Sequence, residues 1–108
     1  MQLIDTHSHI YLDDFSEDRS AVIDRAKSKG VDRIVLPNID ADSLQPMLRL
    51  ARKYPDICIP LPGLHPTHVK ENFRDELRII FQEADPLHYK AIGEIGIDLY
   101  WDDTYFNQ

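Results

Sequence analysis

Two histidines separated by one residue stand near the start of the chain, in the segment DTHSH at residues 5–9. Apolar residues lead into this segment, and we predict a β-strand over residues 3–9. Residues two apart on a strand project from the same face, so the imidazoles of His7 and His9 would share one space at the strand's carboxyl end. Two imidazoles on one face make half of a metal site, although ordinary surface histidines show the same spacing. Asp5 shares that face one step deeper, where it would either fix a histidine tautomer or belong to a polar layer.

The second candidate is an acidic residue next to a glycine, Glu94 in the segment GEIGID at residues 93–98. It lies at the end of a predicted strand, where barrel enzymes place catalytic groups. A buried carboxylate without a partner costs several kcal/mol or becomes protonated, and coordination to a divalent cation removes that cost. The alternative is an ion pair between Glu94 and an arginine, because buried charges are commonly paired.

A third histidine follows another predicted strand, in the segment GLHP at residues 63–66. His65 would lie at the same rim as the first two groups, which suits a contact with substrate. The pattern is equally typical of a turn residue before proline. His68 and His88 have no supporting pattern, and we expect both to be exposed, His88 in a loop at residues 85–88.

Short apolar runs alternate with amphipathic helical patterns, which is typical of βα units that carry a parallel sheet. We predict strands over residues 3–9, 32–36, 57–61 and 89–95. The first helix is predicted over residues 17–29, with Ser16 as its N-cap and Gly30 just past its end. Apolar stripes at helical spacing define the second and third helices: Leu44, Met47, Leu48 and Ala51, then Phe73, Leu77, Ile80, Phe81 and Ala84.

Composition limits the classes of function. The 108 residues carry a net charge of −7 and a pI near 5.0, which argues against a broad basic surface that holds nucleic acid by counterion release. Binding of phosphate would therefore need metal ions.

A single cysteine, Cys58, excludes a disulfide-stapled scaffold, and we expect it to be buried. Residues 1–10 lack the pattern of a signal peptide and no run of 18 apolar residues occurs, so we predict a cytoplasmic protein without a membrane partner.

The three motifs, in this order and spacing, resemble the TatD family of metal-dependent deoxyribonucleases, within the amidohydrolase-like barrel superfamily. DTHSH, GLHP and GEIGID all match, with Ile97 where leucine is common, and the likeness extends over the whole chain. The resemblance implies an α/β fold of the (β/α)8 TIM-barrel type. A closed barrel typically needs roughly 250 residues. Residues 1–108 would thus be the N-terminal part of a single domain, with about the first four strands and three helices.

The same resemblance implies two divalent metal ions, Mg, Mn or Zn, at the carboxyl-terminal mouth of the barrel. His7 and His9 would bind one ion and Glu94 would bridge both, while Asp98 and Tyr100 match positions beside the site. The family's remaining ligands, two histidines and an aspartate that is the expected general base, have no counterpart in this chain. Hydrolysis of DNA phosphodiester bonds by a metal-activated water is therefore expected of the complete protein, and this chain alone is expected to be inactive.

Two other functions stay open on the sequence. Related barrel amidohydrolases and lactonases, which act on substrates other than nucleic acid, also begin with two histidines on the first strand, although GEIGID favours the nuclease family. The chain could instead act as a non-catalytic fragment. Its unpaired apolar strand edges would then favour self-association.

Overall fold

The computed structural model describes residues 1–84 and 89–107, within which the strands form one parallel sheet. The strands, in their order across the sheet, are β1 (Leu3–Asp5), β2 (Val31–Pro37) and β3 (Cys58–Leu61). The helices that follow them are α1 (Arg19–Ser28), α2 (Ala41–Lys53) and α3 (Phe73–Ala84), with short 3-10 turns at Asp13–Phe15 and Pro66–His68. The predicted order of βα units is confirmed. The loop predicted at residues 85–88, with His88, lies outside the described residues.

The core lies between the sheet and the helices that cover it. The apolar stripe predicted for α2 is buried in full, and that of α3 is buried at Ile80 and Ala84. Cys58 is buried here as expected, and burial raises the pKa of its thiol to about 11. Within the described ranges, no helix is both long enough and apolar enough to cross a membrane.

The first strand is shorter than predicted and ends at Asp5 instead of residue 9. The Asp5 carboxylate accepts a hydrogen bond from the His7 N–H at 3.1 Å, so this N–H is not available to the ladder with β2. Further along, the Ser8 N–H donates to the Val35 carbonyl at 3.0 Å, which keeps the segment against β2. The two histidines therefore leave the sheet on a turn that is still anchored to it.

The first helix also begins later than predicted, at Arg19 instead of residue 17. Its N-cap is Asp18 and not Ser16, which instead ends the preceding 3-10 turn by donating its N–H to the Asp13 carbonyl. The Arg19 guanidinium donates to the carbonyls of residues 10, 11 and 12, at 2.7–3.1 Å. This arginine ties the segment after the two histidines to the start of α1. Gly30, with a φ of 89°, ends the helix as predicted.

Residues 89–95, predicted as a fourth strand, form no strand among the described residues. Instead, the Gly93 N–H donates to Pro62, the Gly93 carbonyl accepts from Asn38, and the Glu94 N–H donates back to the Asn38 carbonyl, all at 2.9–3.0 Å. The segment thus crosses the ends of β2 and β3. The prediction was wrong: a parallel strand is normally covered on both faces, whereas the apolar side chains here are largely exposed, Ile92 50% and Ile95 63%.

The residue that joins these segments is Asn38, at the end of β2, whose side chain is completely buried. Its amide nitrogen donates to the carbonyls of Asp40 and Gly63, both at 2.9 Å, and its amide oxygen accepts from the Ser43 hydroxyl at 2.9 Å. Ser43 also forms a capping box with Asp40 at the start of α2. One buried side chain therefore fixes the start of α2 relative to the segment after β3, while its backbone holds Glu94.

We expect Asn38→Ala to lower the free energy of unfolding by about 3 kcal/mol, because it leaves buried carbonyl and hydroxyl groups without partners. Urea unfolding followed by circular dichroism measures this change. Asn107→Ala, at an exposed asparagine, is the matched control and should leave the midpoint unchanged. Equal midpoints for the two variants would contradict the role given to Asn38.

Candidate metal centre

Three side chains of the kind that bind metals converge beyond the carboxyl ends of β1 and β2. The Nε2 atoms of His7 and His9 are 3.0 Å apart, and Glu94 Oε2 lies 3.2 Å from the first and 3.6 Å from the second. Nitrogen and oxygen ligands lie about 2.0–2.2 Å from a zinc-like ion, so ligand atoms that share an ion are about 3 Å apart. The spacing of these three atoms fits one shared ion.

Glu94 Oε2 is a buried oxygen that has no hydrogen-bond donor among the described residues. His7 Nε2 approaches it to 3.2 Å, but without the geometry of a hydrogen bond. An oxygen in this state raises the free energy of the fold unless a partner is supplied. A cation held between the oxygen and the two imidazoles would be such a partner, so the donor set fits a metal ion chemically as well as by distance.

The other oxygen of Glu94 has a defined partner, His65, whose Nε2 lies 3.0 Å from Oε1. His65 Nδ1 accepts the Thr67 N–H at 3.1 Å. A backbone N–H can only donate, so the proton of a neutral His65 must be on Nε2, the nitrogen that lies 3.0 Å from Glu94 Oε1. Histidine, and not the arginine considered above, therefore accompanies Glu94 in the described part of the chain. His65 also begins the turn at Pro66–His68, so the turn interpretation was correct as well.

Gly63 permits the backbone that carries Glu94 to reach this place. A Cβ atom at position 63 would lie 2.5 Å from the Gly93 carbonyl carbon and 2.8 Å from the Glu94 carbonyl oxygen. Contacts this short with backbone atoms cannot be relieved by a side-chain rotation. The GLHP motif thus contributes a close approach of two segments in addition to its histidine.

The Nδ1 side of the His9 ring contacts Tyr11, a residue that the sequence motifs did not include. His9 Nδ1 is 2.8 Å from the hydroxyl of Tyr11, and this hydroxyl donates to the Pro37 carbonyl. Burial, and then the nearby His7, lower the pKa of His9, while Glu94 acts in the opposite direction. Because histidine binds cations in its neutral form, the lowered pKa favours a ligand role near neutral pH.

The remaining predicted site residues lie outside the cluster. Asp5 is exposed and accepts from the backbone N–H of His7, so the structure shows neither the contact with an imidazole nor the polar layer that the sequence left open. The Asp98 carboxylate accepts the Tyr100 N–H at 2.9 Å, and the Tyr100 side chain is 83% exposed. His68 is 46% exposed, which agrees with the expectation.

Sequence reasoning missed Tyr11, Asn38 and Thr67. Tyr11 continues the two-residue alternation of His7 and His9, so the spacing contained a signal for it. Asn38 directly follows the apolar run of β2, where the carboxyl end of a parallel strand is expected to carry functional groups. No sequence signal separates Thr67 from other turn residues.

Comparison with known proteins identifies the family to which the chain is related. The chain matches the family model described as TatD related DNase over residues 4–108. It is 36% identical to the uncharacterized metal-dependent hydrolase YjjV of Escherichia coli K12, over 99% of this chain and 42% of that protein. It is also 36% identical to the 3'-5' ssDNA/RNA exonuclease TatD of Erwinia tasmaniensis, over 78% of this chain and 32% of that protein.

The crystal structure of YjjV, a TatD homolog from Escherichia coli K12, superimposes with a TM-score of 0.79 at 36% identity, over 94% of this chain and 39% of that one. The predicted fold class, part of a TIM-type barrel, is confirmed. The chain spans less than half the length of each of these relatives. The match over nearly all of its residues shows that the chain belongs to the TatD-related DNase family.

Proposed function

We propose that the complete protein is a metal-dependent hydrolase that cleaves phosphodiester bonds of DNA, and that residues 1–108 are the N-terminal part of its single domain. The observation that supports the metal dependence is Glu94 Oε2, a buried oxygen without a hydrogen-bond donor, within 3.6 Å of two imidazole nitrogens. The relatives named as metal-dependent hydrolases support the same proposal.

His7, His9 and Glu94 would hold a divalent ion, and Glu94 would share a second ion with ligands contributed by later residues. When bound, such ions supply charge neutralisation at the scissile phosphate and lower the pKa of a water toward 7. His65 Nε2 lies 3.0 Å from Glu94 Oε1, while the other oxygen of the carboxylate lies toward the two histidines. A carboxylate oxygen has two lone pairs, so the contact of Oε1 with His65 would not prevent Glu94 from sharing a second ion.

DNA as substrate is supported by the relatives named as ssDNA/RNA exonucleases and by the charge of the chain. With a net charge of −7, the protein needs local positive charge to approach phosphate, and metal ions would provide it. A cavity beside the turn at Pro66–His68 is lined by Trp101 and Tyr105 together with Lys70, whose ammonium is paired with Asp102 at 3.2 Å. Aromatic rings of this kind can stack bases without regard to sequence, whereas the paired Lys70 adds little free positive charge. A cytoplasmic location stays a prediction from the sequence.

The first test uses the full-length protein and Glu94→Gln, which keeps the shape of the side chain and removes its charge. We expect Mn²⁺ affinity, measured by isothermal titration calorimetry, to fall at least about a hundredfold, because even the partners of metal ligands contribute about 10–100-fold. Hydrolysis of a single-stranded DNA oligonucleotide should fall with it.

Glu71→Gln, at an exposed glutamate outside the cluster, is the matched control and should bind Mn²⁺ like the wild type. Wild-type affinity in Glu94→Gln would refute the metal site. Tight metal binding without cleavage of DNA, together with cleavage of a lactone or amide, would instead keep the site and overturn the substrate.

The close approach at Gly63 gives an independent test of how Glu94 is positioned. Gly63→Ala should weaken Mn²⁺ binding at least tenfold, because the added Cβ collides with backbone atoms of Gly93 and Glu94. Gly96→Ala, whose Cβ would find its nearest neighbour at 3.8 Å, should bind normally. Calorimetric titration of both variants separates a positional effect from the general cost of replacing glycine, and equal affinities would contradict it.

We further propose that the 108-residue chain by itself self-associates. On β1, Leu3 is 39% and Ile4 is 61% exposed, and Ile95 and Ile97 add to the exposed apolar surface. An edge strand with apolar side chains readily pairs with another chain. Sedimentation velocity should show a concentration-dependent dimer or larger species, and Ile4→Lys should reduce it. A monomer at every concentration that stays in solution would contradict the proposal.

A further inference from the structure

Tyr11 is a buried tyrosine whose hydroxyl lies between a backbone carbonyl and a candidate metal ligand. Its side chain is 1% exposed, and its ring meets the His9 ring edge to face with centroids 5.6 Å apart. The hydroxyl contacts the Pro37 carbonyl oxygen, at the end of β2, and His9 Nδ1 at 2.8 Å. The position of the hydroxyl is thus set by the sheet.

The number of available protons determines the direction of both hydrogen bonds. A carbonyl oxygen can only accept, so the single proton of the Tyr11 hydroxyl is donated to Pro37. The hydroxyl oxygen must then accept from His9, and the proton of a neutral His9 is on Nδ1. The Nε2 lone pair of His9 consequently faces His7 Nε2 at 3.0 Å and Glu94 Oε2 at 3.6 Å.

The opposite arrangement occurs at His65. Its Nδ1 accepts the Thr67 N–H, so its Nε2 carries the proton and faces Glu94 Oε1 at 3.0 Å. Two histidines on the same carboxylate are thereby held in different tautomers by different neighbours. His9 presents a lone pair, as a metal ligand must, and His65 presents a proton.

We propose that Tyr11 is a positioning residue for the metal centre, holding His9 in the Nδ1-protonated tautomer with Nε2 directed at the ion. Tyr11 does not touch the ion and acts only through His9, in the way that hydrogen-bonded partners generally orient histidine ligands. This inference rests on the proposed metal site. It adds a residue outside the three motifs on which the function was predicted.

The test uses Tyr11→Phe in the full-length protein, with Tyr54→Phe as the control. Phenylalanine keeps the ring and removes the hydroxyl; Tyr54 is partly buried and its ring packs near Lys27 and Lys53 instead of near the cluster. We expect Mn²⁺ affinity of Tyr11→Phe to fall about tenfold at unchanged stoichiometry, and Tyr54→Phe to bind like the wild type.

Long-range ¹H–¹⁵N spectra of the metal-free wild type supply the second measurement. His9 should give the pattern of a protonated Nδ1, and His65 that of a protonated Nε2. In Tyr11→Phe, the His9 pattern should change to a mixture while that of His65 stays the same. An Nε2-protonated His9 in the wild type, or unchanged affinity in Tyr11→Phe, would overturn the inference.

The two measurements separate this inference from the proposed function. If the wild type binds no metal, the metal site is wrong, yet the spectra still decide whether Tyr11 fixes the tautomer of His9. If Tyr11→Phe fails to fold, the wild-type spectrum still tests the predicted tautomer of His9, because an Nε2-protonated His9 would overturn the inference.

Discussion

The buried amide of Asn38 is the interaction on which the rest of the site depends. A buried side-chain amide destabilises the folded state unless its donors and acceptor are paired. Its hydrogen bonds therefore hold the partner groups at fixed distances. Here the partners belong to α2 and to the segment after β3, while the backbone of the same residue binds the chain next to Glu94. His65 lies just after Gly63, and the Glu94 N–H donates to Asn38. The contacts of Asn38 therefore help to place His65 Nε2 and Glu94 Oε1 3.0 Å apart.

The carboxylate of Glu94, at the centre of the cluster, destabilises the folded state because one of its oxygens is buried without a donor among the described residues. One oxygen of Glu94 lies 3.0 Å from His65 Nε2, and the other is this buried oxygen. The fold brings it there through a glycine that no larger residue can replace without a collision. An unsatisfied oxygen beside two imidazole nitrogens has the chemistry of a cation site, and this is the basis for the metal that we propose.

Sequence patterns predicted the composition of the cluster better than the backbone that forms it. Alternation by two residues brought His7 and His9 together correctly, although the strand that was meant to carry them ends at Asp5. Glu94 was found from its motif, whereas the strand expected to carry it is replaced by three hydrogen bonds at the ends of β2 and β3. Local sequence patterns indicate which residues are buried and how far apart they lie, and these features can be correct even when the predicted strand is in fact a loop. They do not report which distant carbonyl a buried Asn38 will bind.

The protonation of the histidines shows most clearly what the sequence omits. His9 and His65 are the same residue type and approach the same carboxylate, so sequence patterns could suggest where each lies but not which ring nitrogen carries its proton. Their difference lies in what stands behind each ring: a hydroxyl that has already given its proton to Pro37, or a backbone N–H that can only donate. Each neighbour comes from a segment whose position is set by the sheet or by a turn. The fold around each histidine in this cluster therefore determines which of its ring nitrogens carries the proton.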